Sequence, residues 1–311
     1  MTSVSQNADP SPSVQPDRQQ LWKAAIKIPM YTVAVIPIWV GTAIAYFETR
    51  QFNGWNFGLF MGAAIAIIAW LNLSNDVFDS DTGIDVNKAH SVVNLTGNRT
   101  LVLWIANAFL VAGIGAIGAI ALLQQDVTTI GIVLLCCFLG YTYQGPPFRL
   151  GYQGLGELIC WVCFGPLAIA AAYYSQAATI SLTSQIASIA IGITTSVILF
   201  CSHFHQVADD IAAGKRSPVV RLGTARSAVL LPWSCAIAAA AAFVPVLWGA
   251  FPPTVLLALL SVPIAVTLCR HVLANHDRPA AVSNCKFIAV KWHFWSGLLF
   301  GLGFCLGPVL S

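Results

Sequence analysis

Long apolar runs separated by short polar ones dominate the chain. About 20 mostly apolar residues are needed to cross a bilayer as a helix. Runs at 28–47, 58–74, 101–123, 128–143, 155–175, 185–204, 228–248, 254–271 and 290–310 approach or meet that length. The pattern predicts an all-α, polytopic membrane protein, a bundle of about nine transmembrane helices. Glycine and proline recur inside the runs (Pro37, Pro166, Pro263, Gly113, Gly115, Gly118), where membrane helices use them for close packing or kinks. Residues 1–20 are polar and rich in Pro, Ser and Gln. They are read as a disordered tail rather than a cleavable signal, which leaves 21–311 as a single membrane domain.

Composition agrees. The 311 residues are 57% hydrophobic and 9% charged, against about 25% charged in an ordinary soluble domain. A surface with so few charges needs lipid as part of its solvent. A net charge of +3 is too small to suggest nucleic acid as a partner. Most of the nine cysteines, Cys136, Cys137, Cys160, Cys163, Cys201, Cys235 and Cys305 among them, lie within apolar runs, where a thiol packs as a small hydrophobe. The Cys160-Trp-Val-Cys163 pair is read the same way.

Orientation follows from the basic residues. With nine spans and a cytoplasmic amino terminus, every Lys and Arg of the 15 except Arg50 falls on the cytoplasmic face. The protein is therefore expected to be N-in and C-out, in a plasma or thylakoid membrane. The sequons at Asn94 and Asn98 then face the side where glycosylation does not occur.

The acidic residues are equally lopsided. Asp76, Asp79, Asp81 and Asp85 crowd the end of the second run, and Asp209 and Asp210 follow the sixth. An even number of spans separates the clusters, so both face the same side. Each is followed by a glycine and then basic residues, a weak internal repeat: Gly83, Lys88 and Arg99 in the first copy, Gly214, Lys215 and Arg221 in the second. Carboxylates at membrane depth are costly and usually functional. Such a density of hard oxygen ligands suits Mg2+, which takes one or two carboxylates, retained waters and a substrate phosphate. Lys88, Arg99, Lys215 and Arg221 would hold the outer oxygens of a polyphosphate. The plainer alternative is a hydrated loop face whose charges pair with one another.

The stretch Asn75-Asp76-Val-Phe-Asp79-Ser-Asp81-Thr-Gly83-Ile-Asp85 resembles the first aspartate-rich motif of the UbiA superfamily of intramembrane prenyltransferases. Lys88-Ala-His90, Tyr141-Thr-Tyr143 and Gly151-Tyr-Gln-Gly-Leu-Gly156-Glu157 resemble its naphthoate branch. The segment from His203 to Gly223 is similar to the phytyl-transferring enzymes of phylloquinone synthesis. The resemblance implies a nine-helix enzyme binding two Mg2+ ions, with phytyl diphosphate as donor. It implies 1,4-dihydroxy-2-naphthoate or 2-carboxy-1,4-naphthoquinone as acceptor, and a demethylphylloquinone product formed with loss of CO2. It assigns Asn75, Asp79, Asp81, Asp85, Asp209 and Asp210 to metal binding, with Asp76 beside them. Tyr141 and Tyr143 would face the allylic cation or orient the acceptor, or else anchor at the interface. His90, His203, His205 and Gln206 are placed beside the substrates, the histidines alternatively as hydrogen-bonded neighbours, and Glu157 is read as structural. Gln206 stands where many relatives carry an acid, so either Asp209 compensates or the second metal is held more weakly.

Other classes fit less well. Membrane CDP-alcohol phosphotransferases need Asp-x-x-Asp-Gly followed by Ala-Arg, and here Ser80 follows Asp79. An ion-coupled transporter would place its acids near mid-bilayer. A structural subunit has no need of two matched acidic clusters.

Overall fold

A computed structural model describes residues 17–84 and 91–310. Among these, the chain is helical from Arg18, so the predicted tail is too long by three residues. A short helix, Arg18–Ile26, turns at Lys27 (φ 53°) into the first spanning rod.

The rods are α1 (Ile28–Thr49), α2 (Gly54–Thr82), α3 (Arg99–Gln124), α4 (Thr128–Gln144), α5 (Gly156–Ala177), α6 (Leu182–His203), α7 (Thr224–Leu247), α8 (Pro253–Asn275) and α9 (Cys285–Leu310). Eight of the nine helical segments are long and apolar enough to cross a membrane; α4, with 17 residues, falls just short. A backbone in lipid has no water to satisfy it, so helix is the form these runs must take. Most rods extend a few residues beyond their apolar runs. The largest difference is α2, which continues through the first acidic motif to Thr82 because Asn75 and Asp79, one helical turn apart, bond to each other.

The rod α1 packs on α2, α5, α6 and α9 and forms the hub of the bundle. Close approach needs small residues there. A methyl at Gly41 would sit 2.7 Å from Ala172 Cβ, and one at Gly113 would sit 2.8 Å from Ile67 on α2. In α5, Pro166 falls in a five-residue π-helical stretch, Cys163–Leu167, which accommodates the missing backbone donor. Ala171, Ile44, Phe300 and Phe304 are buried between rods, while Trp55, Trp104, Leu122 and Trp248 are exposed on the outside. All nine cysteines are free thiols, as apolar packing requires.

The two ends of the bundle differ. At one end, Glu48 accepts from Tyr173 and Ser181, at 2.6 and 2.8 Å. Asp126 there accepts from Tyr174 and from the Thr128 amide, at 2.6 and 2.8 Å. These bonds together hold Asp126 below the usual carboxylate range, Tyr174 contributing most. The other end carries both acidic motifs.

Candidate active site

The end of α2 supplies Asn75, Asp76 and Asp79. Asp79 is buried. Its Oδ2 accepts from Asn75 Nδ2 at 3.2 Å, and its Oδ1 accepts from Gln144 Nε2 at 3.0 Å and from the Tyr152 hydroxyl at 3.2 Å. Gln144, the last residue of α4, also donates to Asn75 Oδ1. Asp76 takes a different role. Lys27 Nζ lies 3.1 Å from its Oδ1 and the Val92 amide donates to its Oδ2 at 2.9 Å. It therefore ties the amino-terminal elbow and the Val92–Thr96 helix to α2.

The second motif sits on a short helix, Val207–Ala212, after α6. Asp210 is fully buried; Asp209, the next residue around that turn, is exposed. Asp210 Oδ2 is 3.1 Å from His203 Nδ1, and Oδ1 is 3.6 Å from Lys215 Nζ. Burial pushes the Asp210 carboxyl up, but the bond from His203, the charges of Lys215 and His203 and a bond from Ser217 outweigh it. The group is held below the usual range. On its far side, His203 Nε2 lies 3.5 Å from Glu157 Oε1.

Tyr152 spans the gap between the motifs. Lys215 Nζ lies 5.8 Å from the centre of its ring, and the Arg216 amide donates to its carbonyl at 2.8 Å. Burial and the nearby charge of Asp79 raise its phenol, so it stays protonated as a donor. A continuous chain of contacts thus runs from Asp79 through Tyr152, Lys215, Asp210 and His203 to Glu157. Tyr143 lies within range of the charges of Glu157, Asp79 and Asp210. Its ring fits only because Gly151 and Gly156 lack side chains: a methyl on either would come within 2.6 or 2.7 Å of Cε2. Beside this chain an open cleft of about 610 Å3 is lined by Tyr152, Gln153, Leu155, Gly214, Arg216 and Arg221.

Several residues singled out from the sequence stand elsewhere. Arg99 and Asp81 form a two-pronged pair with each other, at 2.8 and 2.7 Å, on the exposed surface. Arg221 donates to the carbonyls of Arg216 and Gln153, at 3.0 and 2.6 Å, and so staples two loops. The Tyr141 hydroxyl donates to the Pro146 carbonyl at 2.6 Å and its ring packs edge-on against Phe78. The Asp209 carboxylate makes no hydrogen bond or ion pair with a described residue, only its backbone carbonyl accepting from the Ala213 amide at 3.0 Å, and the structure does not bring it into the group around Asp210. Gln206 caps the Val207–Ala212 helix by position, its carbonyl accepting from the Asp210 amide at 2.8 Å. Asp85, Lys88 and His90 lie outside the described residues.

Sequence reasoning missed three contributors: Gln144, Tyr152 and Lys27. A glutamine closing an apolar helix directly after Tyr141-Thr-Tyr143 was the available signal for the first. Tyr152 lay inside a quoted motif without a role. Lys27 was counted only for its charge.

The donor set fits a divalent cation. Asp210 Oδ1 and both oxygens of Glu157 are buried without a hydrogen bond; Asp210 Oδ1 meets Lys215 Nζ at 3.6 Å and Glu157 Oε1 meets His203 Nε2 at 3.5 Å, which leaves each with acceptor capacity that further positive charge would satisfy. Among the described residues no three of His, Cys, Asp and Glu converge closely enough to hold an ion by themselves. Any ion held there would have to complete its shell with water and phosphate oxygens, as Mg2+ does elsewhere.

Comparison with known proteins identifies the family. The family model described as "UbiA prenyltransferase family" matches residues 34–307. A 2-carboxy-1,4-naphthoquinone phytyltransferase from Synechocystis is 58% identical over 94% of this chain and 96% of its own length. The chloroplastic protein of the same name from Arabidopsis thaliana is 40% identical over 93% of this chain and 77% of its own. In fold, the chain resembles a UbiA homologue from Aeropyrum pernix, with a TM-score of 0.66 at 16% identity over 89% of this chain and 98% of that one. It also resembles one from Archaeoglobus fulgidus solved with DMAPP and Mg2+, with a TM-score of 0.55 at 14% identity over 90% and 98%. A helical membrane bundle with both acidic motifs at one end, matched over most of its length, belongs to the UbiA prenyltransferase family.

Proposed function

We propose that this integral, multi-pass membrane protein transfers a phytyl group from phytyl diphosphate to a naphthoate-type acceptor. The acceptor would be 1,4-dihydroxy-2-naphthoate or its quinone form, 2-carboxy-1,4-naphthoquinone; exchange of CO2 for the phytyl group leaves the oxidation state of the ring unchanged, so the product would be demethylphylloquinol from the first or demethylphylloquinone from the second. The reading of prenyl transfer is carried by one observation: two acidic motifs far apart in sequence are joined in a single buried network at one end of an apolar bundle. The choice of phytyl and naphthoate rests on the 58% identical relative. The network end is assigned to the cytoplasm from the distribution of basic residues.

Asp79, steadied by Asn75 and Gln144, would present one carboxylate to an ion, and Asp210, with Glu157 behind His203, a second; two ions are expected. When bound, Mg2+ would neutralise the charge that develops on departing pyrophosphate. Lys215, already paired with Asp210, is placed to meet a diphosphate oxygen. The bond from C1 of the phytyl group to oxygen breaks, and its electron pair leaves with pyrophosphate. The apolar rods keep water from the allylic cation, and Tyr143 lies close enough to face it. The acceptor ring carbon bearing the carboxylate then bonds to C1, and CO2 departs with restoration of the ring.

The test is turnover with phytyl diphosphate and the naphthoate, read by pyrophosphate release. Activity should vanish with EDTA and return with Mg2+ or Mn2+. Flux of substrate across a vesicle without pyrophosphate release would point instead to a transporter.

A further inference from the structure

We infer that Tyr152 is a positioning residue that aims the Asp79 carboxylate and locks its orientation to the second acidic motif. The inference rests on the prenyl-transfer reading and adds a residue that neither motif contains.

Three features of the geometry support it. The phenol carries one proton and has two oxygen neighbours, Asp79 Oδ1 at 3.2 Å and Thr82 Oγ1 at 2.7 Å. A carboxylate is the stronger acceptor, so Tyr152 donates to Asp79, and the single proton of the Thr82 hydroxyl is shared between the phenol oxygen and the Asp79 carbonyl 2.9 Å away. With Gln144 donating to the same Oδ1, that oxygen holds two neutral donors. Tyr152 and Gln144 thereby fix one oxygen of the carboxylate while Asn75 orients the other. Partners of this kind fix the geometry of a ligand without touching the metal.

The ring and backbone of Tyr152 belong to the other motif. Its ring lies under the Lys215 ammonium, its carbonyl accepts from Arg216, and a methyl at nearby Gly154 would come within 2.5 Å of the Arg216 carbonyl. The loop carrying Tyr152 is thus held against the loop that follows Asp210. A shift of the Lys215–Asp210 pair carries the phenol with it, and with the phenol the orientation of Asp79.

Tyr152→Phe separates these functions, because it keeps the ring and backbone contacts and removes only the hydroxyl. Two readouts apply to purified protein in detergent: Mn2+ binding with inorganic pyrophosphate present, followed by loss of the free-ion EPR signal, and a Mg2+ titration of turnover. Tyr152→Phe should weaken Mn2+ binding about 10–100-fold, the usual scale for losing such a partner. It should raise the half-saturating Mg2+ by a similar factor, with turnover recovering at excess Mg2+ and the unfolding midpoint unchanged. A merely structural role would lower the midpoint and show no rescue by Mg2+. Thr82→Val, which keeps the phenol but removes its other contact, should move both readouts the same way by a smaller factor. Wild-type Mn2+ affinity in both variants overturns the inference. Wild-type protein that binds Mn2+ yet releases no pyrophosphate from phytyl diphosphate overturns the functional reading instead, while the binding comparison still decides the role of Tyr152.

Discussion

Asp209 and Asp210 are neighbours of identical chemistry in opposite surroundings, and replacing each by asparagine separates their roles. Asp210→Asn preserves shape and removes one negative charge from a fully buried position. Its Oδ1 is 3.6 Å from Lys215 Nζ. At that spacing two unit charges interact by about 1 kcal/mol in water and about 5 kcal/mol at an effective dielectric constant near 20. Burial places the site toward the upper part of that range. A loss of about 3–4 kcal/mol, or roughly 10²–10³-fold in rate, also matches the scale of losing one electrostatic group from an active site. The deficit should fall on kcat, because the charge matters most as pyrophosphate departs. Asp209 is exposed and its carboxylate lacks a partner among the described residues, so Asp209→Asn should stay within about twofold of wild type, as a screened surface charge does. The assay is steady-state pyrophosphate release at saturating phytyl diphosphate across a Mg2+ titration. Equal losses in the two variants, or less than a threefold loss in Asp210→Asn, would refute the assignment of Asp210 as the working carboxylate.

Gly151→Ala would force a methyl to within 2.6 Å of Tyr143; overpacking of this sort costs about 1–3 kcal/mol. The unfolding midpoint and the turnover rate should fall together, and wild-type activity would place Tyr143 outside the site. At the opposite end, the lowered carboxyl of Asp126 contributes stability that is fully present above its unfolded value of about 3.9. That contribution is lost as pH falls through the lower folded value. Below about pH 4, Asp126→Asn should flatten the acid limb of thermal stability, and an unchanged limb would count against it. For orientation, an impermeant thiol reagent added outside intact cells should label Gln51→Cys and spare Asp277→Cys; the reverse pattern would invert the proposed topology.

The fold was legible because lipid leaves a chain few options: apolar runs of spanning length must be helices. The acidic motifs stood out for a related reason, since carboxylates beside hydrocarbon have no cheap explanation. What did not show was which charges answer one another. Arg99 and Lys215 both followed an acidic cluster and a glycine, yet Arg99 closes on Asp81 at the surface while Lys215 closes on buried Asp210. Sequence spacing cannot separate these outcomes, because they depend on loops brought together by the rods. Neutral side chains such as Gln144 and Tyr152 were harder still, since they carry no charge to draw notice and act only through a carboxylate about 70 residues away.

The brevity of α4 links this chemistry to the membrane. A helix of 17 residues rises about 25 Å, against about 30 Å of hydrocarbon in a typical bilayer. Short spans are commonly matched by local thinning of the lipid, at a fraction of a kcal/mol per Å. Because α4 ends in Gln144, and Gln144 donates to Asp79, strain from a thicker bilayer would be passed to the carboxylate proposed to hold the ion. Acyl-chain length thereby becomes a variable of the enzyme, with vesicles of short-chain lipids favouring turnover over those of long-chain ones.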